Sequence, residues 1–559
     1  MTSPPPDSRP RTLLGIASLA IALAAADTYV VVLALTEMMQ GVGIGIESLQ
    51  RATPIISGFL LGYVAVLPLI GRLADLLDKQ RVLLGCLAIF VVGSAVTALA
   101  SDLTVLVAGR VVQGVGGGGL VPATLAIVAA RWPAETRGLP LGVVGAVQEL
   151  GSVLGPVLGA AILLVSDWRA IFWLNALAGI VLAGAIWWTS ALRPTGSWRT
   201  VGIWGTALGL LWLALAAPDA LATSVSLGAP FVPIGSSDAR LATPIGLLAL
   251  AVVIGATGWS IRRGWSWLRQ AGPFGAAMLG SALGCVIVTF AAAQPEREIV
   301  GPLGYALLPV AAACTLAYAV HHRRSANPVI PHGVVRGTTA WALAVSFCAG
   351  AALVAVVVNI PLLARLVHTT DEAEAAFVLL RFLIAVPLGA LLGGWAVRHT
   401  GDGIVAGIGM GCAALGLALM TAWGRGAFAT AGSWFVLALT GLGIGLALAP
   451  VNNAALSAVR ADAHGAASAL IVVSRMIGMV LGLALLTAVG LHRYYEIVAG
   501  LPDPTDTEAL KSAAITQVHW VFWGASGAAA LGALLSTRLG VNVRRRAAAP
   551  PRHLPAGTG

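Results

Sequence analysis

The sequence predicts an all-α polytopic membrane protein. Three observations carry this. Of its 559 residues, 58% are hydrophobic and only 10% charged, whereas soluble domains carry roughly 25% charged side chains. The apolar residues come in long blocks, many of 18 residues or more, the length that spans a hydrocarbon core as a helix. The basic side chains gather in alternate short loops between those blocks, the asymmetry that orients helices in a membrane. Glycine is abundant, at 68 residues, as fits helices that approach closely in lipid.

In chain order the blocks lie near 12–36, 54–74, 81–100, 104–130, 139–165 and 170–192. Four follow at 200–217, 243–261, 274–292 and 304–320, and six more at 339–363, 374–397, 403–424, 431–456, 464–490 and 515–538. The first block imitates a signal peptide, with Arg9, Arg11 and Ala24-Ala25-Ala26. Its apolar run resumes after Asp27 and continues to Leu35, so the expectation is one uncleaved spanning helix. The count is sixteen, arranged six, four and six, with fourteen as the alternative if two central segments do not span. The expected division is 1–192 for a first six-helix bundle, 193–338 for a central insertion, 339–540 for a second bundle and 541–559 for a disordered tail.

Loop charge supports this order with both termini cytoplasmic. The inside loops hold Arg72, Lys79, Arg81, Arg131, Arg137, Arg193, Arg262, Arg263, Arg323, Arg324, Arg398 and Arg460. The outside loops are sparse or acidic, with Asp219, Asp238, Glu296, Glu298, Asp371 and Glu374. Arg365, Arg425 and Arg493 run against the trend. The outside loop 491–514 is long and polar: either a disordered crossing or an extension of its flanking helices above the membrane.

Several motifs sit on these segments. Gly71-Arg72-Leu73-Ala74-Asp75 follows the second segment, with Asp78, Lys79 and Arg81 beyond it. A fainter copy, Gly393-Gly394 with Arg398, Gly401 and Asp402, follows the second segment of the second six. Parallel repeats of this kind fit a transporter made of two bundles. The fourth segment carries Arg110-Val-Val-Gln113-Gly114. The fifth carries Gln148-Glu149-Leu150-Gly151, then Gly155-Pro156 and Gly159. Its small residues make one helix face nearly flat, which suits close packing between the two bundles.

On these residues the chain resembles the major facilitator superfamily. The 71–81 stretch is similar to that family's cytoplasmic loop signature, although Asp78 stands where a glycine is expected and Lys79-Gln80 where two basic residues are usual. Arg110 and Gln113 resemble the signature linked to proton coupling, and Gly151, Gly155, Pro156 and Gly159 the antiporter signature of exporters. Asp27-Thr28 and the stretch from Asp167 to Asn175 resemble the fourteen-helix drug:proton antiporter branch. Within it, Asp27-Thr-Tyr-Val-Val-Val, Gln148 to Pro156, Phe382 to Gly389 and Ser474-Arg475-Met-Ile-Gly-Met are similar to the mycobacterial triacylglyceride and multidrug exporters that work beside a lipid-carrying lipoprotein. The likeness fails in the centre, where this chain has four segments instead of two. It implies a bacterial plasma membrane, an apolar lipid or drug substrate and a lipoprotein partner.

Charges inside apolar blocks are costly and mark function or specific pairing. Asp27 lies mid-span, a proton carrier or gate if water reaches it, a structural hydrogen-bond acceptor if not. Glu149 and Arg475 lie in the fifth segments of the two halves, so pseudo-symmetry puts them in equivalent places on opposing bundles. An ion pair there would favour one access state, and protonation of Glu149 would release it. Arg110 requires a counter-charge or carbonyls. Gln113, Gln148, Asn359 and Arg381 are candidates to line a cavity, with Arg381 free to snorkel instead. Asn452 and Asn453 read as packing or helix-end residues.

Other chemistries find no support. Gly114-x-Gly116-x-x-Gly119 matches a dinucleotide fingerprint only in letters, since no strand precedes it. There is no phosphate-binding Walker motif and no hydrolase or zinc-peptidase motif. The five cysteines lie inside apolar blocks without metal-ligand spacing. No metal, cofactor or catalysis is expected. The net charge of +10 is spread over short loops, which excludes a nucleic-acid surface. His321-His322-Arg323-Arg324 reads as an interfacial basic cluster. The expected function is proton-coupled export of apolar or amphiphilic compounds, drugs or lipids, by alternating access. Its alternative is extraction of a triacylglyceride-like lipid for an outer acceptor. A non-transporting scaffold would have no use for Asp27, Glu149 and Arg475 inside the membrane.

Overall fold

The computed structural model describes residues 9–44, 49–189, 198–224, 228–234, 239–291, 304–369, 372–424, 426–503 and 506–540. Arg193, Asp238, Glu296, Glu298, Asp371, Arg425 and the expected tail 541–559 lie outside the described residues. Among those described, sixteen helices are long and apolar enough to cross a membrane.

The first six are α1 (Arg9–Gly41), α2 (Leu49–Leu76), α3 (Lys79–Ala98), α4 (Leu103–Arg131), α5 (Gly138–Leu163) and α6 (Trp168–Thr189). The central four are α7 (Trp198–Ala216), α8 (Pro244–Arg263), α9 (Pro273–Ala291) and α10 (Gly304–Arg324). The last six are α11 (Thr338–Val367), α12 (Glu372–Thr400), α13 (Asp402–Met420), α14 (Ala431–Ser457), α15 (His464–Ala499) and α16 (Thr507–Ser536).

Helix starts follow local chemistry. The Asp78 carboxylate accepts from Gln80 N and Arg81 N and so begins α3, while Asp102 accepts from Val105 N and begins α4. Thr243 caps α8 just before Pro244, a residue suited to the first helical turn. α1 runs unbroken through Ala24 and Asp27.

The two sixes share one packing plan. In the first, α2 and α3 both pack on α4, α1 packs on α5 and α6, and α3 on α6. In the second, α12 and α13 pack on α14, α11 on α15 and α16, and α13 on α16. The repeat reaches single residues: Pro122 stands 19 positions after the start of α4, and Pro450 stands 19 after the start of α14. The bundles meet through α2 on α15 and α5 on α12, pairs that the same correspondence exchanges.

The apolar core is continuous across the bundles only towards the end bearing the arginine-rich loops. There Leu67, Ile70, Leu83 and Leu125 pack in one cluster with Leu456, Ala467 and Val472. At the opposite end, the cluster around Met38, Ile55, Leu106 and Phe172 draws on the first bundle and on α7, and includes no buried residue of the second bundle.

One expectation is corrected. Gly151, Gly155 and Gly159 do not face the other bundle; they meet Ala22, Ala26 and Val30 of α1, within their own bundle. The contact between bundles is made by Gly138 and Gly142, against Ala390, Gly394 and Val397 of α12. Gly142 and Gly151 are nine positions apart, and at ~100° per residue that puts them on opposite faces of α5. The helix therefore has two flat faces.

The central helices form two hairpins, α7 with α8 and α9 with α10. α9 lies along α2 and touches α15. α7 sits at the outer rim of the first bundle, where Leu211 and Leu215 join its cluster. The 491–514 region is largely helical: α15 runs to Ala499 and α16 begins at Thr507. With 36 residues, α15 is about 54 Å long at 1.5 Å per residue, well beyond a hydrocarbon core of about 30 Å.

Candidate functional site

The deepest polar cluster lies inside the first bundle. Asp27 and Arg110 are each 1% exposed, and Arg110 Nη1 stands 2.5 Å from Asp27 Oδ2. Asp27 Oδ1 accepts from Gln113 Nε2 at 2.9 Å and from Asn175 Nδ2 at 2.6 Å. Arg110 also donates to Gln113 Oε1 at 2.7 Å and to the Ile55 carbonyl at 3.3 Å, and its guanidinium lies 4.4 Å from the Phe59 ring centre. Gln113 donates its remaining bond to Ser94 Oγ at 2.9 Å. Donors from α4 and α6 thus converge on the α1 carboxylate, and α3 holds Gln113 in place through Ser94. Burying a charge in this way is tolerable only because it is paired and hydrogen-bonded.

The second cluster joins the bundles. Glu149 of α5 and Arg475 of α15 come within 3.8 Å and are almost fully buried. At this distance they attract as charges but do not form a hydrogen bond. They border a cavity of about 90 Å³ whose wall includes Tyr29, Tyr63, Gln148 and Met479. Within the second bundle, Gly350 of α11 lies directly against the Arg475 backbone and so packs α11 closely on α15.

The third arrangement is at the arginine-rich end, in two related parts. Gly71 of α2 and Gly465 of α15 touch backbone to backbone. Their contact lets the Asp75 carboxylate cap α15, accepting from Gly465 N at 2.6 Å and Ala466 N at 3.0 Å. A carboxylate at a helix N-terminus satisfies free N–H groups and meets the positive end of the helix dipole. Arg72 and Lys79 lie near enough to act on that charge. In the other part, Arg137 at the start of α5 donates to Asn453 Oδ1 at 2.7 Å and Ser457 Oγ at 2.5 Å, both on α14. Asn453 in turn donates to Asp402 Oδ1 at 2.8 Å. One aspartate thus engages the start of α15 directly, and the other engages the start of α5 through an asparagine.

The remaining sequence candidates are dispersed. Asp78 is used as the cap of α3, which Lys79 and Arg81 begin, and Arg398 is exposed near the end of α12. Gln113 belongs to the Asp27 cluster, not to the cavity. Asn359 is buried and donates to the Ala355 carbonyl of its own helix. Arg381 stacks 3.9 Å from the Trp434 ring centre, beside Ser433. The reading of residues missed Asn175, Ser94, Arg137 and Ser457 as partners, and took Asn453 for a packing residue. An asparagine about two turns inside an apolar segment signals Asn175; nothing local signals Arg137, whose partner lies 316 positions away.

The chain is similar to proteins whose work is transport. Residues 17–483 match the Major Facilitator Superfamily. The "Triacylglyceride transporter" of Mycobacteroides abscessus is 36% identical over 507 residues, covering 88% of this chain and 85% of that protein. The triacylglyceride transporter Rv1410c of Mycobacterium tuberculosis is 35% identical over 522 residues, covering 90% and 88%. Among solved structures, the human organic anion transporter MFSD10 superposes with a TM-score of 0.56 at 15% identity, covering 95% of this chain and all of that one. The proton:xylose symporter XylE gives 0.55 at 12% identity, covering 94% and 95%. These two likenesses concern the fold, and the same two-bundle architecture carries them. With the family matched along most of its length and relatives above one-third identity across both bundles, this multi-pass membrane protein belongs to the major facilitator superfamily of transporters.

Proposed function

We propose that the protein is a proton-coupled exporter that moves an apolar lipid of the triacylglyceride class out of a bacterial plasma membrane by alternating access. The observation that carries the coupling is the Glu149–Arg475 pair. It is the charge pair that spans the two bundles beside the cavity. Protonating Glu149 removes the attraction between the bundles, and access to the proton changes as they rock. Asp27, held by Arg110, Gln113 and Asn175, is the second protonatable group on the same side of the cleft, and α1 joins it to α5.

The arginine-rich end is taken as cytoplasmic by the positive-inside rule, with both termini on that side. The conformation described here is then latched inside: Asp75 caps α15, Arg137 ties α5 to α14, and the apolar core is continuous between bundles only there. The lipid reading rests on the relatives named triacylglyceride transporters and on α15 and α16, whose length carries them beyond the bilayer towards an outer acceptor. A lipid-carrying lipoprotein is the acceptor this reading implies.

The test is transport by purified protein in vesicles holding radiolabelled triacylglyceride, with an acceptor outside and an imposed proton gradient. Transfer that follows the gradient, and that Glu149→Gln and Asp27→Asn abolish, is the expected result. Transfer indifferent to the gradient would overturn the coupling. Movement of a cationic dye but not of triacylglyceride would replace the lipid reading with drug export.

A further inference from the structure

The α9–α10 hairpin takes no part in the clusters above, yet it is built against the helix that carries Asp75. Between the hairpin and the first bundle runs an apolar groove of about 620 Å³. Small residues make its floor: Gly62 and Ala65 of α2, and Ala277, Gly280 and Ser281 of α9. The helices touch at its centre, where a Cβ on Gly280 would stand 2.8 Å from the Ala65 carbonyl oxygen. Along α9 the groove extends from Pro273 to Val288, about 22 Å at the helical rise. That exceeds one leaflet's share, roughly 15 Å, of the hydrocarbon core, and it faces the bilayer at the depth of the acyl chains.

At its arginine-rich end the groove runs into a basic cluster. A Cβ on Gly275 would lie 3.4 Å from His321 and 3.5 Å from Tyr318. The His322 ring centre is 5.7 Å from that of Tyr318 and 4.6 Å from that of His332. The Tyr318 hydroxyl and His322 Nδ1 are buried without a hydrogen-bond partner, an arrangement that native interiors avoid unless something else supplies the bond. Arg323 and Arg324 are exposed in the last turn of α10. No Asp or Glu occurs in the sequence between Ile299 and Thr370, so the cluster's positive charge has no acidic neighbour along its own stretch of chain.

We infer that groove and cluster together bind one anionic phospholipid of the cytoplasmic leaflet, with an acyl chain in the groove and the phosphate on the end of α10. Phosphate oxygens accept from Tyr318, His322 and the two arginines, and basic pockets between helices at this depth suit such head groups. The occupied site clamps α9 to α2. Because α9 also touches α15, the lipid holds together the two helices that Asp75 joins and favours the inside-latched state. Binding is read without transport, so it stands or falls separately from the proposed export.

The experiment uses the purified full-length protein in phosphatidylcholine vesicles with trace phosphatidylglycerol or phosphatidylcholine spin-labelled on the acyl chain. A motionally restricted population that prefers phosphatidylglycerol by at least about fivefold, what even one of the two arginines is worth near an anionic surface, is expected. Arg323→Ala with Arg324→Ala reduces that preference to parity and leaves the fold intact, since both side chains are exposed. Ala277→Trp, or independently Ser281→Trp, fills the groove and removes the restricted population for both lipids. Excess inorganic phosphate does not release the chain. Equal restriction of the two lipids by wild-type protein would overturn the inference. So would a preference that survives the arginine variants, or a restricted population untouched by either tryptophan.

Discussion

Among the described residues, the Asp27–Arg110 and Glu149–Arg475 ion pairs are buried, and their geometry separates their duties. Asp27 is gripped by three donors from two further helices, and each of its oxygens is engaged. Glu149 and Arg475 face each other more loosely, next to a cavity. Removing one partner of a buried pair strands the other charge, at a cost of about 3–5 kcal/mol. Arg110→Ala is therefore expected to lower the melting temperature sharply in a thermal-shift assay, and adding Asp27→Asn to that variant recovers part of the loss. Glu149→Gln also strands a charge, but in a looser pair beside a cavity, so it is expected to lower the melting temperature less than Arg110→Ala does while transport falls. At the latch, Asp75→Asn weakens two charge-assisted bonds worth roughly 1.5–3 kcal/mol each. Spin labels across the arginine-rich end should then report a larger open population, and unchanged distances would show that the latch carries no weight. Asp27, Glu149 and Arg475 were legible in the sequence because a charge in an apolar block has a cost that needs a reason. The Arg137–Asn453–Asp402 chain was not. Arg137 sits in a loop where basic residues are ordinary, and its partners come from another bundle.

At the scale of elements, α5 is the informative case. Its glycines announce flat faces, but composition does not say which neighbour each face meets. The two faces predict opposite phenotypes. Gly155→Leu drives a side chain into the backbone of Ala26 within one bundle, a misfit of more than the 1–3 kcal/mol usual for overpacking, and should abolish folded protein in size-exclusion chromatography. Gly142→Leu meets Ala390 and Gly394 across the moving interface, so it should yield folded protein that cannot close at the arginine-rich end. Cysteine cross-linking between α5 and α12 would read this directly. Helix existence and order were legible throughout, because sixteen apolar blocks and their caps are local signals. The helical course of α15 and α16 past the membrane was open in sequence, since Pro502 and Asp503 suit a disordered crossing as well as a tight turn between two long helices.

For the whole molecule, the repeat between the sixes and the even number of inserted helices decide what can be removed. α7 and α8 begin and end on the arginine-rich side, so deleting residues 198–263 leaves the orientation of everything downstream unchanged. The deletion loses the seat of Leu211 and Leu215 on the first bundle. It is expected to give inserted, folded protein with a modestly lower melting temperature, whereas inverted topology in a protease-protection assay would contradict the arrangement. The two-bundle plan was readable from the paired motifs after the second and twelfth helices, but the resting places of the two hairpins were not, because apolar helices in lipid carry no pattern that names a neighbour. α15 has a further consequence. Gly465, which receives the Asp75 cap, lies ten residues from Arg475, and Ala499 lies twenty-four residues beyond Arg475. Measured from Arg475, where this unbroken rod meets Glu149 of the other bundle, its arms are about 15 Å and about 36 Å. Any tilt that frees its short arm by one ångström sweeps its far tip through more than two, so the helix works as a lever that turns a small release on one side of the membrane into a larger stroke on the other.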